Sequence, residues 1–176
     1  MKTILNQQQL DITIDRLCHQ LIENHLDFKD TVLIGLQPRG IYLSDRIYQK
    51  LNLLLPGTKF SYGKLDITFY RDDFNTSESL HIPNQTDIRF SIENKKVVLV
   101  DDVLYTGRTI RSALDAMLDF GRPEKVELLV LIDRRFSRQL PIQPDYVGRT
   151  IDSIISQKVR VFWREQDQKE EVVLIG

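Results

Sequence analysis

Cysteine is almost absent from this chain: Cys18 is the only one in 176 residues. A single thiol makes neither a disulfide framework nor a cysteine metal cluster, and Cys18 falls on the apolar side of a helical pattern, so core packing is its expected role. An excess of charge of either sign is missing too. With 24 Lys plus Arg against 25 Asp plus Glu, the formal net charge is −1. Nothing global therefore draws the chain to nucleic acid or an anionic membrane, and a polyanionic partner has to meet a local patch. No apolar run approaches the length of a membrane span, and MKTILNQQQL lacks the apolar core and cleavage site of a signal peptide, so the cytoplasm is the expected compartment and no membrane partner is expected. No internal repeat, low-complexity block or linker interrupts the chain. Its 41% hydrophobic and 28% charged residues suit one well-buried domain spanning residues 1–176.

What is present centres on VVLVDDVLYTGRT, residues 97–109. Four consecutive apolar residues, three of them β-branched, predict a buried strand of a parallel sheet that ends at Asp101 and Asp102. Two adjacent carboxylates at the carboxyl edge of such a sheet stand where open α/β folds bind ligands, and their repulsion calls for a cation or hydroxyls to share them. Thr106, Gly107, Arg108 and Thr109 then lead into a helix with Ile110, Ala113, Leu114, Met117 and Leu118 at helical spacing. Free N–H groups and the helix dipole at such an N-terminus favour an anion. Taken singly, each Thr or Asp reads as an ordinary N-cap. The run is not a Walker loop, because the Lys-Ser/Thr pair and its earlier Gly are missing. As a whole it resembles the phosphoribosyl-pyrophosphate (PRPP) motif of the type I phosphoribosyltransferases.

Before this run, Leu10, Ile14, Leu17, Leu21 and Ile22 predict an amphipathic helix over about 7–26, with Asp11, Asp15, Arg16, His19 and Glu23 on its polar side. TVLIGL (31–36) reads as the first core strand. Gln37, Pro38, Arg39 and Gly40 form the following loop, and a helix starts near Ile41. Arg39 can fork onto two phosphate oxygens and Gly40 permits close backbone approach, although an ordinary βα turn has the same look. GKLDITFY (63–70) alternates Leu65, Ile67 and Phe69 as a half-buried strand. Arg71, Asp72 and Asp73 end it, and the polar stretch from there to Asn94, long for a compact domain, reads as a lid, a mobile hairpin or a disordered loop. Downstream, Gly121 and Pro123 close the central helix, and KVELLVLID (125–133) is the next buried strand with Asp133 at its end. Arg134, Arg135 and Arg138 follow as a basic cluster around Phe136. KVRVFW (158–163) and EVVLI (171–175) are strand-like.

RGIYLSDRI (39–47), LDITFYRDD (65–73), the 97–109 run, GRP (121–123) and LPIQPDYVGRTI (140–151) together resemble the PyrR family, uracil phosphoribosyltransferases that also regulate pyrimidine operons. The resemblance implies an α/β fold, with a central mainly parallel sheet flanked by helices, a small hood and a mobile lid loop. It implies Mg²⁺, with PRPP and uracil as substrates and UMP and pyrophosphate as products, and UMP or UTP as regulatory ligands. It also implies a homo-oligomer, a dimer or higher. Asp101, Asp102, Arg39 and Arg71 would be catalytic. Arg39, Gly40 and the run Asp101, Asp102, Val103, Leu104, Tyr105, Thr106, Gly107, Arg108 and Thr109 would hold PRPP, with Mg²⁺ met by Asp101 and Asp102 through ribose or water. Uracil would lie under a hood built from the chain ends, near Leu131, Ile132 and Asp133. An mRNA leader hairpin would meet Arg16, His19, Arg138 and Arg149, whereas Asp15, Asn24 and Gln143 depart from the hydroxyl or basic residues of RNA-binding members. Three readings stand on the sequence: an enzyme making UMP, an RNA-binding attenuator with little catalysis, and a phosphoribosyltransferase for another base such as hypoxanthine or guanine.

Overall fold

The computed structural model describes residues 1–70 and 85–176. Arg71 and residues 72–84 of the expected lid lie outside the described residues. In chain order the elements are β1 (Lys2–Leu5), α1 (Gln7–His25), β2 (Thr31–Leu36), α2 (Gly40–Leu54), β3 (Ser61–Leu65), β4 (Lys96–Leu104), α3 (Arg108–Met117), β5 (Lys125–Arg135), β6 (Tyr146–Asp152), β7 (Lys158–Phe162), α4 (Arg164–Asp167) and β8 (Glu171–Ile175).

Five strands form a parallel sheet in the order β3-β2-β4-β5-β6. Parallel neighbours need crossovers: α2 carries the one from β2 to β3 and α3 the one from β4 to β5, on opposite faces, while β5 reaches β6 through residues 136–145, which hold no helix. Leu10, Leu17 and Leu21 of α1 join Leu43, Ile47 and Leu51 of α2 in one apolar cluster with Val98 and Val100 of β4. Ile110, Ala113 and Met117 of α3 pack against Val97 and Leu99 in the other cluster. Consecutive residues of β4 therefore feed opposite cores, as strand alternation requires. Helix α1 starts at a capping box: Asn6 Oδ1 accepts from the Gln9 N–H at 2.9 Å, while Gln9 Oε1 accepts from the Asn6 N–H at 3.0 Å.

The two chain ends meet in a second, antiparallel sheet, β1-β8-β7. This is the expected hood, and it joins the α1–α2 core through Val161, Trp163 and Val172. Cys18 packs in the same core with its thiol against the Ile47 carbonyl, and burial pushes the thiol pKa up to about 12, which keeps it protonated.

Several sequence expectations change. The strand expected through Tyr70 stops at Leu65, and residues 68–70 make a 3₁₀ turn with Phe69 67% exposed. Leu118, expected on the buried face of the central helix, is 61% exposed in the 3₁₀ turn after Met117. The described end of the expected lid is docked: Asp87 bridges Lys64 of β3, and Ile92 is buried in the α3 core.

Candidate active site

Strand β4 does not stop at its acids. It continues through Asp101 and Asp102 to Leu104, and both carboxyl groups are buried, at 8% and 7% exposure. Asp101 Oδ1 accepts from the Asp102 N–H at 2.9 Å, and Asp102 Oδ2 lies 3.5 Å from Arg39 Nε. Burial first, then the neighbouring charge of Asp102, hold the Asp101 carboxyl well above the usual range. Burial raises Asp102 as well, but Arg39, the Val103 N–H and the Trp163 indole oppose that rise. The pair is thus divided: burial acts on both acids, and Asp102 is the member with charged support.

Arg39 stands just before α2, at the carboxyl edge of the sheet. Besides Asp102 it reaches the hood, donating to the Val161 carbonyl and, at 2.9 Å, to Gln166 Oε1. Gly40 is required by the sheet itself. A Cβ there would lie 2.7 Å from the Val100 carbonyl oxygen and 2.9 Å from Asp101 Oδ1, so the close approach read from the sequence is made to β4.

The loop from Tyr105 to Thr109 enters α3 through Gly107, whose φ of 92° suits glycine. Thr106 Oγ1 accepts from the Arg108 N–H at 3.3 Å, leaving the following amides at a helix N-terminus. The segment after β5 clamps this loop. Gln139 and Leu140 donate backbone N–H bonds to the Thr106 carbonyl, Arg108 Nε donates to Gln139 Oε1 at 2.8 Å, and Arg138 donates to the Tyr105 carbonyl at 2.6 Å. Val103 and Thr109 are half-buried at the two ends of the loop. Leu104 is 2% exposed and belongs to the α3 core, so its side chain packs and does not line the site.

The three residues expected near the base have distinct surroundings. Leu131 and Ile132 are fully buried in β5, so their side chains serve the core. Asp133 is taken by Arg138, 2.5 Å away. The open apolar cavity lies beyond them, lined by Phe136, Ser153, Ile154, Ile155, Ser156 and Gln157 among others. At its back Arg134 stacks over Tyr105, 4.0 Å from the ring centroid, and donates to Ser153 Oγ and to the carbonyls of Ile154 and Gln157. Sequence reading grouped Arg134 with the surface arginines; its 5% exposure separates it from them. Trp163, missed altogether, lies buried beside Asp102.

The four basic-surface residues divide. Arg16 donates to the Val147 and Gly148 carbonyls, Arg149 donates to the Ile4 carbonyl, and His19 is exposed on α1. Through β6 and α1 these three share one side of the molecule. Arg138 is committed to Asp133 and the Tyr105 carbonyl.

Fold and site together define a phosphoribosyltransferase. The family described as Phosphoribosyl transferase domain matches residues 1–167. Two hypoxanthine phosphoribosyltransferase structures share the fold: the Staphylococcus aureus protein, with TM-score 0.74 at 21% identity over 98% of this chain and 89% of that one, and the Trypanosoma cruzi protein, with TM-score 0.73 at 17% identity over 99% and 95%. Bifunctional protein PyrR of Halalkalibacterium halodurans is 41% identical over 175 residues, covering 98% of this chain and 96% of the relative. The Picosynechococcus protein of the same name is 43% identical over 172 residues, covering 98% and 96%. The chain belongs to the PyrR family of phosphoribosyltransferases.

Proposed function

We propose that the protein transfers the ribose 5-phosphate of PRPP to uracil, releasing UMP and pyrophosphate. The observation that carries this reading is the buried acid pair of β4, one residue pair from the N-terminal loop of α3 and 3.5 Å from Arg39. Breaking the bond from C1 to pyrophosphate develops positive charge on the ribose and negative charge on the leaving group. The Asp102 carboxylate accepts from the ribose hydroxyls and supports the first charge; Arg39 meets the second; the Thr106–Thr109 loop and the α3 N-terminus hold the 5-phosphate. Each acts by charge and placement, and no covalent nucleophile is needed.

Mg²⁺ fits this donor set, because it takes only one or two protein carboxylates where substrate oxygens complete its shell. Asp101 and Asp102 would face it through ribose or water, and when bound it would neutralise pyrophosphate charge. The cavity of Phe136, Ile154 and Ile155 suits a flat apolar base face, with the polar backbone of 153–157 at its rim. Tyr105 stands mid-loop and brings no carboxylate to the base. A base panel with PRPP and Mg²⁺, followed by pyrophosphate release, tests the reading. Release with uracil is expected; release only with hypoxanthine or guanine, or with no base, overturns it.

A second activity, binding of a pyrimidine-operon leader RNA controlled by UMP or UTP, is supported by the family and by the side that Arg16, His19 and Arg149 share. Phosphate contacts there depend on local cations, since the net charge is −1.

A further inference from the structure

Trp163 is the chain's only tryptophan and is fully buried. Its backbone is pinned at the start of α4: its N–H donates to Asp167 Oδ2 at 3.1 Å, and its carbonyl accepts from the Gln166 and Asp167 N–H groups. Its ring is held as well, with the Arg46 guanidinium 4.6 Å from the centroid and Tyr42 centred 6.3 Å away. Arg46 is itself fixed by Glu165 and Glu170. The direction of the indole N–H is therefore set by its surroundings. Yet Nε1 is a buried donor that completes no well-formed hydrogen bond among the described residues; its pull is on the Asp102 carboxylate, loose but enough to help hold that group's pKa down.

A buried N–H without a well-formed bond costs free energy, so a fold that fixes its direction so firmly gains something in another state of the site. Arg39 decides which state. Its Nε lies 3.5 Å from Asp102, while the rest of its guanidinium reaches Val161, Gln166 and Asp167, the residues that flank Trp163 on the hood. If Arg39 turns to pyrophosphate, Asp102 gives up its cationic contact within a buried site. The fixed donor next to it is Trp163 Nε1.

We propose that Trp163 is a positioning residue for Asp102: its indole N–H takes the carboxylate that Arg39 releases to pyrophosphate, and keeps it turned to the ribose hydroxyls during the displacement. This rests on reading Arg39 as the pyrophosphate contact. It gives the hood a part in the reaction beyond covering it, because β7 brings the donor that steadies an acid on β4.

The test combines kinetics and emission. Trp163→Phe keeps the ring between Arg46 and Tyr42 and removes only the N–H and the outer ring. Its kcat should fall about tenfold, the effect of losing one hydrogen bond to a charged group, while KM for PRPP stays within about twofold; the smaller ring leaves a cavity that lowers the melting temperature, so rates are compared at a temperature where both proteins are fully folded. In the wild-type protein, the emission of the single tryptophan should change on titration with PRPP and Mg²⁺, saturating with the calorimetric binding curve. Wild-type kcat in Trp163→Phe overturns the proposal whatever the emission does, and so does a loss of kcat that vanishes when both proteins are assayed fully folded. Heat of PRPP binding with unchanged emission overturns it while leaving the PRPP reading intact. Absence of PRPP binding heat in the wild type instead defeats the PRPP reading, and this inference with it.

Discussion

Arg134 lies over the ring of Tyr105, its guanidinium carbon 4.0 Å from the centroid, and so ties the end of β5 to the middle of the loop that precedes α3. The guanidinium also holds Ser153 Oγ and the carbonyls of Ile154 and Gln157. Burial lowers its pKa, and Tyr105 offsets this only in part. One side chain thereby links the 153–157 lining of the cavity to the loop that precedes α3.

Arg134→Met should therefore loosen both the 153–157 lining and the loop before α3. The expected outcome is a fall in kcat/KM for the base of about tenfold or more, from loss of a cation–π contact and of hydrogen bonds made by a charged group. Arg134→Lys should not restore it, because an ammonium cannot present a planar fork to three acceptors. Steady-state kinetics with varied base checks both variants.

Asp101→Asn should separate stability from activity. The folded-state pKa of Asp101 lies well above that of the unfolded chain, so the native state keeps a proton that the unfolded state has lost. Its destabilising effect is absent below the unfolded value near pH 4 and grows as pH rises toward the folded value. Asn keeps the oxygen that accepts the Asp102 N–H and removes the charge. Its melting temperature should rise at pH 7, by about 2–4 °C for each kcal/mol of burial cost relieved, and equal that of the wild type near pH 3. Turnover should fall strongly. Thermal scans at both pH values and a pyrophosphate-release assay check this.

Arg39→Ala should weaken PRPP and pyrophosphate together. It should also lower stability by about 1–3 kcal/mol, because the Val161 carbonyl and Gln166 lose a charged donor and Asp102 is left buried without its cation. Calorimetry with pyrophosphate and a urea titration report the two effects separately. Unchanged affinity for both ligands would remove Arg39 from the site.

Far from the site, at the amino edge of the sheet, Glu127 Oε2 lies 2.8 Å from both His25 Nε2 and the Tyr146 hydroxyl, and Oε1 accepts from Lys125 at 2.7 Å. Burial raises its pKa, but the bonds from Lys125, Tyr146 and His25 outweigh that and lower it. The resulting stabilisation is complete above the unfolded value near 4.3 and is lost as pH falls through the folded value. Glu127→Gln should cost stability at pH 7 and flatten the dependence below pH 4.5. Urea unfolding across that range measures it.

On the basic side, Asp15 is occupied by an ion pair with Lys50 of α2. Asp15→Thr with Gln143→Arg should strengthen binding of a pyrimidine leader hairpin and steepen its salt dependence, since the change removes an anion, frees a cation and adds another. Filter binding at two salt concentrations, with and without UMP, gives the comparison. Tight, UMP-enhanced binding by the unaltered protein would show that Asp15 does not oppose RNA.

Much of the fold was legible because its signals are local. TVLIGL is β2 residue for residue, and the 3.6-residue spacing from Leu10 to Ile22 is α1 to within a residue of its end. The motif at 97–109 marks the acid pair of β4 and the loop that leads into α3. Phe69 and Leu118 misled for one shared reason: each continued a periodic pattern past the point where the backbone had turned to 3₁₀ geometry, and periodicity carries no information about where an element stops. β6 was left unread because its exposed residues, Arg149 and Thr150 among them, dilute the apolar signal of an edge strand.

The sequence by itself determined which residues carry charge at the carboxyl edge of the sheet, and which strand and following loop present them. Only the tertiary structure decided how those charges are shared. Asp101 and Asp102 are identical in type and adjacent in sequence, and they differ because Arg39 and Trp163, brought from the ends of other strands, stand beside one of them. Arg134 and Arg138 are likewise four residues apart in one basic run. One is buried against Tyr105, the other is paired with Asp133, and neither fate is written in the local pattern, because burial and partnership depend on segments that folding alone brings together.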